Sequence, residues 1–92
     1  MHYQTVVADV NNIIEKYYRK KDEYYTRHRY DENNQEVYID DELRKYFEDN
    51  DITYDISFED GFESPGYDID FIAVAFEYEG NLYLRTEVFE YM

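Results

Sequence analysis

Ile52-Thr53-Tyr54-Asp55-Ile56-Ser57-Phe58-Glu59 alternates apolar and polar side chains without a break. Successive side chains of an extended chain point to opposite faces. The run therefore reads as a half-buried β-strand with Ile52, Tyr54, Ile56 and Phe58 toward a core. Further on, Tyr67, Ile69 and Phe71 alternate with Asp68 and Asp70, after which Ile72, Val74, Phe76 and Tyr78 become the apolar set. A strand cannot change faces without an extra residue, so a β-bulge or strong twist is predicted near Phe71-Ile72. Between these two strands, Asp60 to Gly66 contains the only proline and is predicted as a loop. Glu79-Gly80-Asn81 leads into a third strand, Leu82 to Tyr91. A two-residue Gly80-Asn81 loop would set Phe76 opposite Arg85. A three-residue loop would set Tyr78 opposite Leu82, Phe76 opposite Leu84 and Ile72 opposite Val88. Only the second register collects one apolar face, so it is the expected one, with Asn81 in the left-handed conformation.

Working back toward the N-terminus, the period lengthens. Tyr3, Val6, Val10, Ile13, Tyr17 and Tyr24 recur in steps that fit a helix, and Val7 and Ile14 widen the stripe. The spacing predicts one long amphipathic helix from about Tyr3 to Tyr25. Lys16, Arg19, Lys20 and Lys21 fall near its C-terminal half, where cations suit the helix dipole. Asp31-Glu32-Asn33-Asn34 is a turn signal, and Glu36 to Ile39 a short extended piece. Asp40 or Asp41 is expected to cap a second helix through Asp49 that buries Leu43, Tyr46 and Phe47. The expected fold is a single α+β domain spanning residues 1–92. It has a long N-terminal helix and a short second helix packed on one face of a three-stranded antiparallel β-meander.

The charge bounds the function. Twenty-three Asp and Glu residues face nine Lys and Arg, for a formal net charge of −14. Residues 1–30 carry a net +2 and residues 31–92 a net −16. Such a body repels nucleic acid and anionic membranes and attracts basic protein clefts. Nineteen aromatics, thirteen of them Tyr, argue against a disordered acidic tail. The basic run Lys16 to Arg29 reads as helix-end cations pairing with the acidic body rather than as a nucleic-acid site. The chain lacks Cys, which removes disulfides, thiol chemistry and Cys-ligated zinc. Its longest apolar run, Phe71 to Phe76, is too short for a membrane span or a signal-peptide core. A soluble, cytoplasmic protein is expected.

Catalysis is not expected. His2 lies at the terminus, and His28 stands between Arg27 and Arg29. Ser57 and Ser64 lie in no nucleophile-elbow pattern, and Gly61, Gly66 and Gly80 are isolated. Asp49-x-Asp51-x-Thr53 imitates the start of a calcium loop but has Tyr54 where that loop needs Gly. No metal and no cofactor are expected.

What remains is the acidic surface. Alternate strand residues lie about 6.6–6.8 Å apart, roughly twice the axial step per nucleotide of one DNA strand. The carboxylates of Asp55, Glu59, Asp60, Glu63, Asp68, Asp70, Glu77, Glu79 and Glu87, with Tyr67 among them, are therefore the expected partner-binding set. Interleaved Tyr54, Tyr67, Tyr78 and Tyr83 are candidate apolar anchors.

By size, charge and lack of Cys, the chain resembles the small acidic phage-encoded DNA-mimic inhibitors of the anti-CRISPR and anti-restriction type. The resemblance spans the whole chain and rests on no motif. It implies a protein that occupies the basic nucleic-acid-binding cleft of a nuclease or CRISPR effector and does not bind nucleic acid itself. Two other classes would share this surface. One is an immunity protein or antitoxin for a basic nuclease toxin. The other is a non-enzymatic homodimeric interaction module that buries the Tyr-rich helix.

Overall fold

The computed structural model describes residues 1–20, 24–64 and 67–91. At 60–64, 67–69, 90 and 91 the description is of the backbone. The order of elements is α1 (Tyr3–Glu15), β1 (Tyr18–Arg19), β2 (Tyr24–Tyr25), β3 (His28–Tyr30), β4 (Glu36–Tyr38), α2 (Ile39–Asp49), β5 (Thr53–Ser64), β6 (Tyr67–Tyr78) and β7 (Asn81–Tyr91). The class is α+β, but the strands form three antiparallel sheets rather than a single meander. β1-β2 and β3-β4 are two-stranded, and β5-β6-β7 is the expected three-stranded unit.

The long first helix is the main correction. α1 stops at Glu15, where Lys16 and Tyr17 donate to the carbonyls of Ile13 and Ile14 in tightened i to i−3 bonds. The chain then folds back on itself. Tyr18 faces Tyr25 with ring centroids 5.0 Å apart, and the Tyr17 carbonyl accepts from the Thr26 N–H at 2.8 Å. A reason lies in Glu42, which bonds both Lys16 and Arg29. The fold-back returns Arg29, on β3, to the side of Lys16, so that both share that one carboxylate. The seven-residue step from Tyr17 to Tyr24 imitates two helical turns, but a hairpin accommodates it equally well.

The polar turn is formed by Asp31, whose carboxylate accepts the N–H groups of Asn33 and Gln35, both at 2.9 Å. Glu36 to Tyr38 is extended as expected. α2 begins one residue before the expected caps and has no side-chain cap. Its first N–H, that of Ile39, donates to the Arg27 carbonyl at 2.8 Å. Asp40 pairs instead with Arg44 one turn on. Leu43 and Phe47 are buried, whereas Tyr46 is half-buried.

In the main sheet, the expected loop Asp60 to Gly66 is largely strand: β5 runs through Ser64, and residues 65 and 66 lie outside the described set. The register slip falls between Asp60 and Glu63, not at Phe71-Ile72, where β6 pairs with both neighbours without interruption. The change of apolar phase along β6 is therefore no bulge. Ile72, Val74 and Phe76 are buried beneath the helices, while Phe71 belongs to the opposite face.

The β6–β7 turn also differs from both registers weighed above. Tyr78 faces Asn81 across a two-residue Glu79-Gly80 loop. Both residues have positive φ, 53° and 75°, as a type I′ hairpin turn requires. The left-handed positions are thus Glu79 and Gly80, not Asn81. Phe76 consequently faces Tyr83, Val74 faces Arg85 and Ile72 faces Glu87. One contiguous core joins Val6, Val10, Ile13, Ile14 and Tyr17 to Leu43 and Phe47, and both groups to Ile72, Val74, Phe76 and Phe89. The Phe47 ring stacks on Tyr54 and touches Phe76, which locks α2 to the sheet, while Phe76 and Tyr83 stack across β6 and β7.

Candidate functional site

The fold spends much of its positive charge internally. Glu42 accepts hydrogen bonds from the Tyr17 hydroxyl (2.7 Å), Arg29 (2.9 Å) and Lys16 (3.0 Å). Burial alone would raise its pKa; the three donors outweigh that and hold it below the ordinary carboxylate value. Arg85 forms a second hub, donating to Asn11 (3.0 Å), Glu15 (2.6 Å), the Tyr25 hydroxyl (2.9 Å) and Glu87 (3.1 Å). Burial would lower the Arg85 pKa, but bonds to Glu15 and Glu87 raise it; the Arg85 bond in turn lowers that of Glu15. Arg44 pairs with Asp40 and Asp41, and Lys45 with Asp49. Arg27 lies over the Phe58 ring, 4.0 Å from its centroid. The basic segment expected to pair with the acidic body does so through Lys16 and Arg29.

The uncompensated charge lies elsewhere. Glu48 and Asp51, at the end of α2, lead into edge strand β5 with Asp55 and Glu59, and Glu77 stands beside them on β6. All five are exposed, and among the described residues none enters an ion pair.

Strand register defines the outer face of the sheet, away from the helices. Across it, Thr53, Glu77 and Leu82 share one row, as do Asp55, Ala75 and Leu84. Ser57, Ala73 and Thr86 form the next row, followed by Glu59, Phe71 and Val88. The face is thus split lengthwise, with acid along β5, small residues along the middle of β6 and aliphatic side chains along β7. Leu82, Leu84 and Val88 are 74%, 69% and 49% exposed. A shallow depression of about 160 Å³ opens here, lined by Thr53, Tyr54, Asp55, Ala75, Phe76, Glu77 and Leu82.

The expected partner-binding residues do not all share this face. Asp55, Glu59 and Glu77 do. Glu87 lies opposite Ile72 on the helix side, bonded to Arg85. Asp70 shares that side by strand parity and faces Phe89. Glu79 occupies the turn, where its carboxylate accepts the Tyr3 N–H at 2.6 Å. Asp60 pairs with Asp70, Glu63 with Asp68 and Ser64 with Tyr67 along the backbone. The side chains of Asp60, Glu63, Tyr67 and Asp68 lie outside the described set. Tyr54, Tyr78 and Tyr83 are not surface anchors. The first and last stack on core rings, and the Tyr78 hydroxyl donates to the Met1 carbonyl at 3.2 Å. Val6, Val10, Ile13, Ile14 and Tyr17 of the Tyr-rich N-terminal segment are buried in the chain's own core.

Sequence reasoning missed the exposed aliphatic row. Leu82, Leu84 and Val88 look like core residues in a strand, and only the Glu79-Gly80 turn, which sets the parity of β7, places them outside. Among the described residues, no group of three or more His, Cys, Asp or Glu is placed to hold a metal, and no helix is long and apolar enough to cross a membrane. Comparison with protein-family models, with curated proteins and with solved structures returns no match.

Proposed function

We propose that this protein is an acidic inhibitor that occupies the basic nucleic-acid-binding cleft of a nuclease or CRISPR effector, in place of DNA. The observation that carries the reading is the separation of charge. Lys16, Arg29, Arg44, Lys45 and Arg85 are held in internal ion pairs, while Glu48, Asp51, Asp55, Glu59 and Glu77 are left exposed on a rigid helix end and sheet. A formal charge of −14 is well above the magnitude of about 2–8 that keeps a small domain in solution. Self-repulsion of that size costs stability, and a basic partner gives it a function. Asp55 and Glu59, four residues apart on one face, span about 13 Å, close to four nucleotide steps of a DNA strand. The neighbouring Leu82 and Leu84 supply apolar contact that phosphates lack, which favours a protein cleft as the target.

The test is displacement of labelled duplex DNA from purified bacterial restriction nucleases and CRISPR effectors. The protein is expected to release DNA from its target, less effectively as salt rises. The triple variant Asp55→Lys, Glu59→Lys, Glu77→Lys is expected to fold normally and lose the effect. Displacement that survives this reversal, or that ignores salt, would refute the acidic-face reading.

A further inference from the structure

We propose that the free edge of β5 takes up an extended cationic segment of a protein partner as a further, antiparallel strand of the main sheet. The inference deepens the inhibitor reading and rests on it for the basic character of the partner. The sheet edge itself supplies the geometry.

The β6–β7 turn fixes which backbone groups of β5 are in use. In a two-residue type I′ hairpin the closing pair, here Tyr78 and Asn81, exchanges both backbone hydrogen bonds. Bonded pairs recur at every second residue, so Phe76, Val74 and Ile72 turn their N–H and C=O groups toward β7. Glu77, Ala75, Ala73 and Phe71 turn theirs toward β5, where they meet Thr53, Asp55, Ser57 and Glu59. That leaves Tyr54, Ile56 and Phe58 with N–H and C=O directed away from the sheet. Ile52 has the same parity, and its N–H indeed turns outward, to the Phe47 carbonyl at 2.9 Å. Among the described residues, no hydrogen bond reaches the backbone of Tyr54, Ile56 or Phe58, and β5 pairs with β6 alone. The opposite edge differs, because the β1-β2 hairpin packs beside β7 and Tyr25 meets Arg85 there.

The side chains of β5 identify the occupant. On the outer face stand Asp55 and Glu59, both exposed, with Ser57 between them. On the helix side Tyr54, Ile56 and Phe58 are only half-buried, unlike Ile72, Val74 and Phe76 of the central strand. An added strand would lay alternate side chains against each row. Cations opposite Asp55 and Glu59 would make opposite-charge cross-strand pairs. Aliphatic residues opposite Ile56 and Phe58 would complete the cover of the core at this edge. A second copy of β5 does not fit. Antiparallel pairing about Ser57 would set Asp55 against Glu59 twice, and like charges directly opposite are destabilising. The carboxylates thus bar the chain's own edge, as charge on natural edge strands does, and admit a basic one. In strand addition of this kind, main-chain bonds supply affinity and alternate side chains supply specificity. The recognised pattern is cation, aliphatic, small, aliphatic, cation.

The probe is the capped peptide Lys-Val-Thr-Val-Lys-Val-Thr, which would run antiparallel to β5 with its lysines opposite Glu59 and Asp55. Calorimetric titration of the full chain reads its affinity, and amide hydrogen exchange by NMR reads the edge. In the free chain the amides of Tyr54, Ile56 and Phe58 are expected to exchange quickly, and those of Asp55 and Ser57 slowly. The peptide is expected to slow the first set and leave the second unchanged. N-methylation of its valines removes the N–H groups that would bond β5, and is expected to weaken binding at least about tenfold. N-methylation of its lysines, whose N–H groups would point away, is expected to leave the affinity nearly unchanged. The double variant Asp55→Lys, Glu59→Lys is expected to keep its circular dichroism spectrum and lose the peptide. Absence of binding at about 1 mM peptide would overturn the proposal. So would equal loss from the two methylated peptides, slow exchange at Ile56 in the free chain, or binding that survives the charge reversal. A peptide that binds as expected, to a chain that displaces DNA from no nuclease, removes the inhibitor reading alone. Displacement of DNA that saturating peptide does not block removes the edge alone.

Discussion

Replacing Glu42 tests the junction that turns the first helix into a hairpin. Its carboxylate receives a buried hydroxyl, a guanidinium and an ammonium group within 3.0 Å. A hydrogen bond to a charged acceptor contributes about 1.5–3 kcal/mol, and the Tyr17 bond lies in that range because its ring is only 1% exposed. The Lys16 pair adds little, since that side chain is 48% exposed, and the Arg29 pair, discounted for partial solvation, adds about 1 kcal/mol. Glu42→Ala is thus expected to cost about 3 kcal/mol. Glu42→Gln keeps an acceptor for Tyr17 and is expected to cost about half as much. For a domain of this size each kcal/mol moves Tm by about 4–8 °C, so the Ala variant should melt about 12–24 °C lower. Urea unfolding followed by circular dichroism reads the free energy directly. The pH dependence supplies a second check. The folded pKa of Glu42 lies below its ordinary 4.5. Its contribution is therefore complete above the unfolded value and lost as pH falls through the folded one. Wild type and Glu42→Gln should differ at neutral pH and converge as pH falls through the lowered folded pKa of Glu42. A loss under about 0.5 kcal/mol for Glu42→Ala, typical of an ordinary surface substitution, would refute the assignment of this carboxylate as the anchor of the hairpins.

Two further outcomes follow from the packing. Phe47 is fully buried and contacts the Tyr54 and Phe76 rings at centroid distances of 5.0 and 5.6 Å. Phe47→Ala should cost about 3–5 kcal/mol in urea unfolding, and a cost under about 1 kcal/mol would place α2 outside the core. Burial, with hydrogen bonds to Glu42, Glu15 and Asp9 respectively, raises the pKa values of Tyr17, Tyr25 and Tyr46 above the ordinary 10.0. A raised folded pKa stabilises below the unfolded value and is lost as pH rises, so stability should decline above about pH 10. Phenolate absorbance near 295 nm should then rise in two stages, exposed tyrosines first and these three with unfolding. A single stage at the ordinary value would contradict their burial.

The candidate surface was only partly legible in the sequence. Asp55 and Glu59 could be assigned to one face because strand alternation is local, and the structure keeps them there with Glu77. Glu87 could not, because its face depends on how many residues turn the β6–β7 corner. A one-residue difference in that count moves every side chain of β7 to the other face. The same count hid Leu82, Leu84 and Val88, which were expected in the core and stand outside it.

The α+β class, the two helical segments and the three long strands follow from periodicity alone, since a period near 3.6 or of 2 is a property of neighbouring residues. The Asp31 turn is equally local, because one carboxylate closes it. The excess of acid is legible as a number in the composition. Its distribution is not. That Lys16 and Arg29 converge on Glu42, that Arg85 reaches Glu15, and that β5 is left acidic while β7 is left aliphatic are consequences of contacts between residues distant in the chain. Such contacts exist only once α1 has stopped and the Glu79-Gly80 turn has set the parity of the last strand. Tertiary structure decided them because a local pattern that suits both a helix and a hairpin, or either face of a strand, is resolved by the partners it meets.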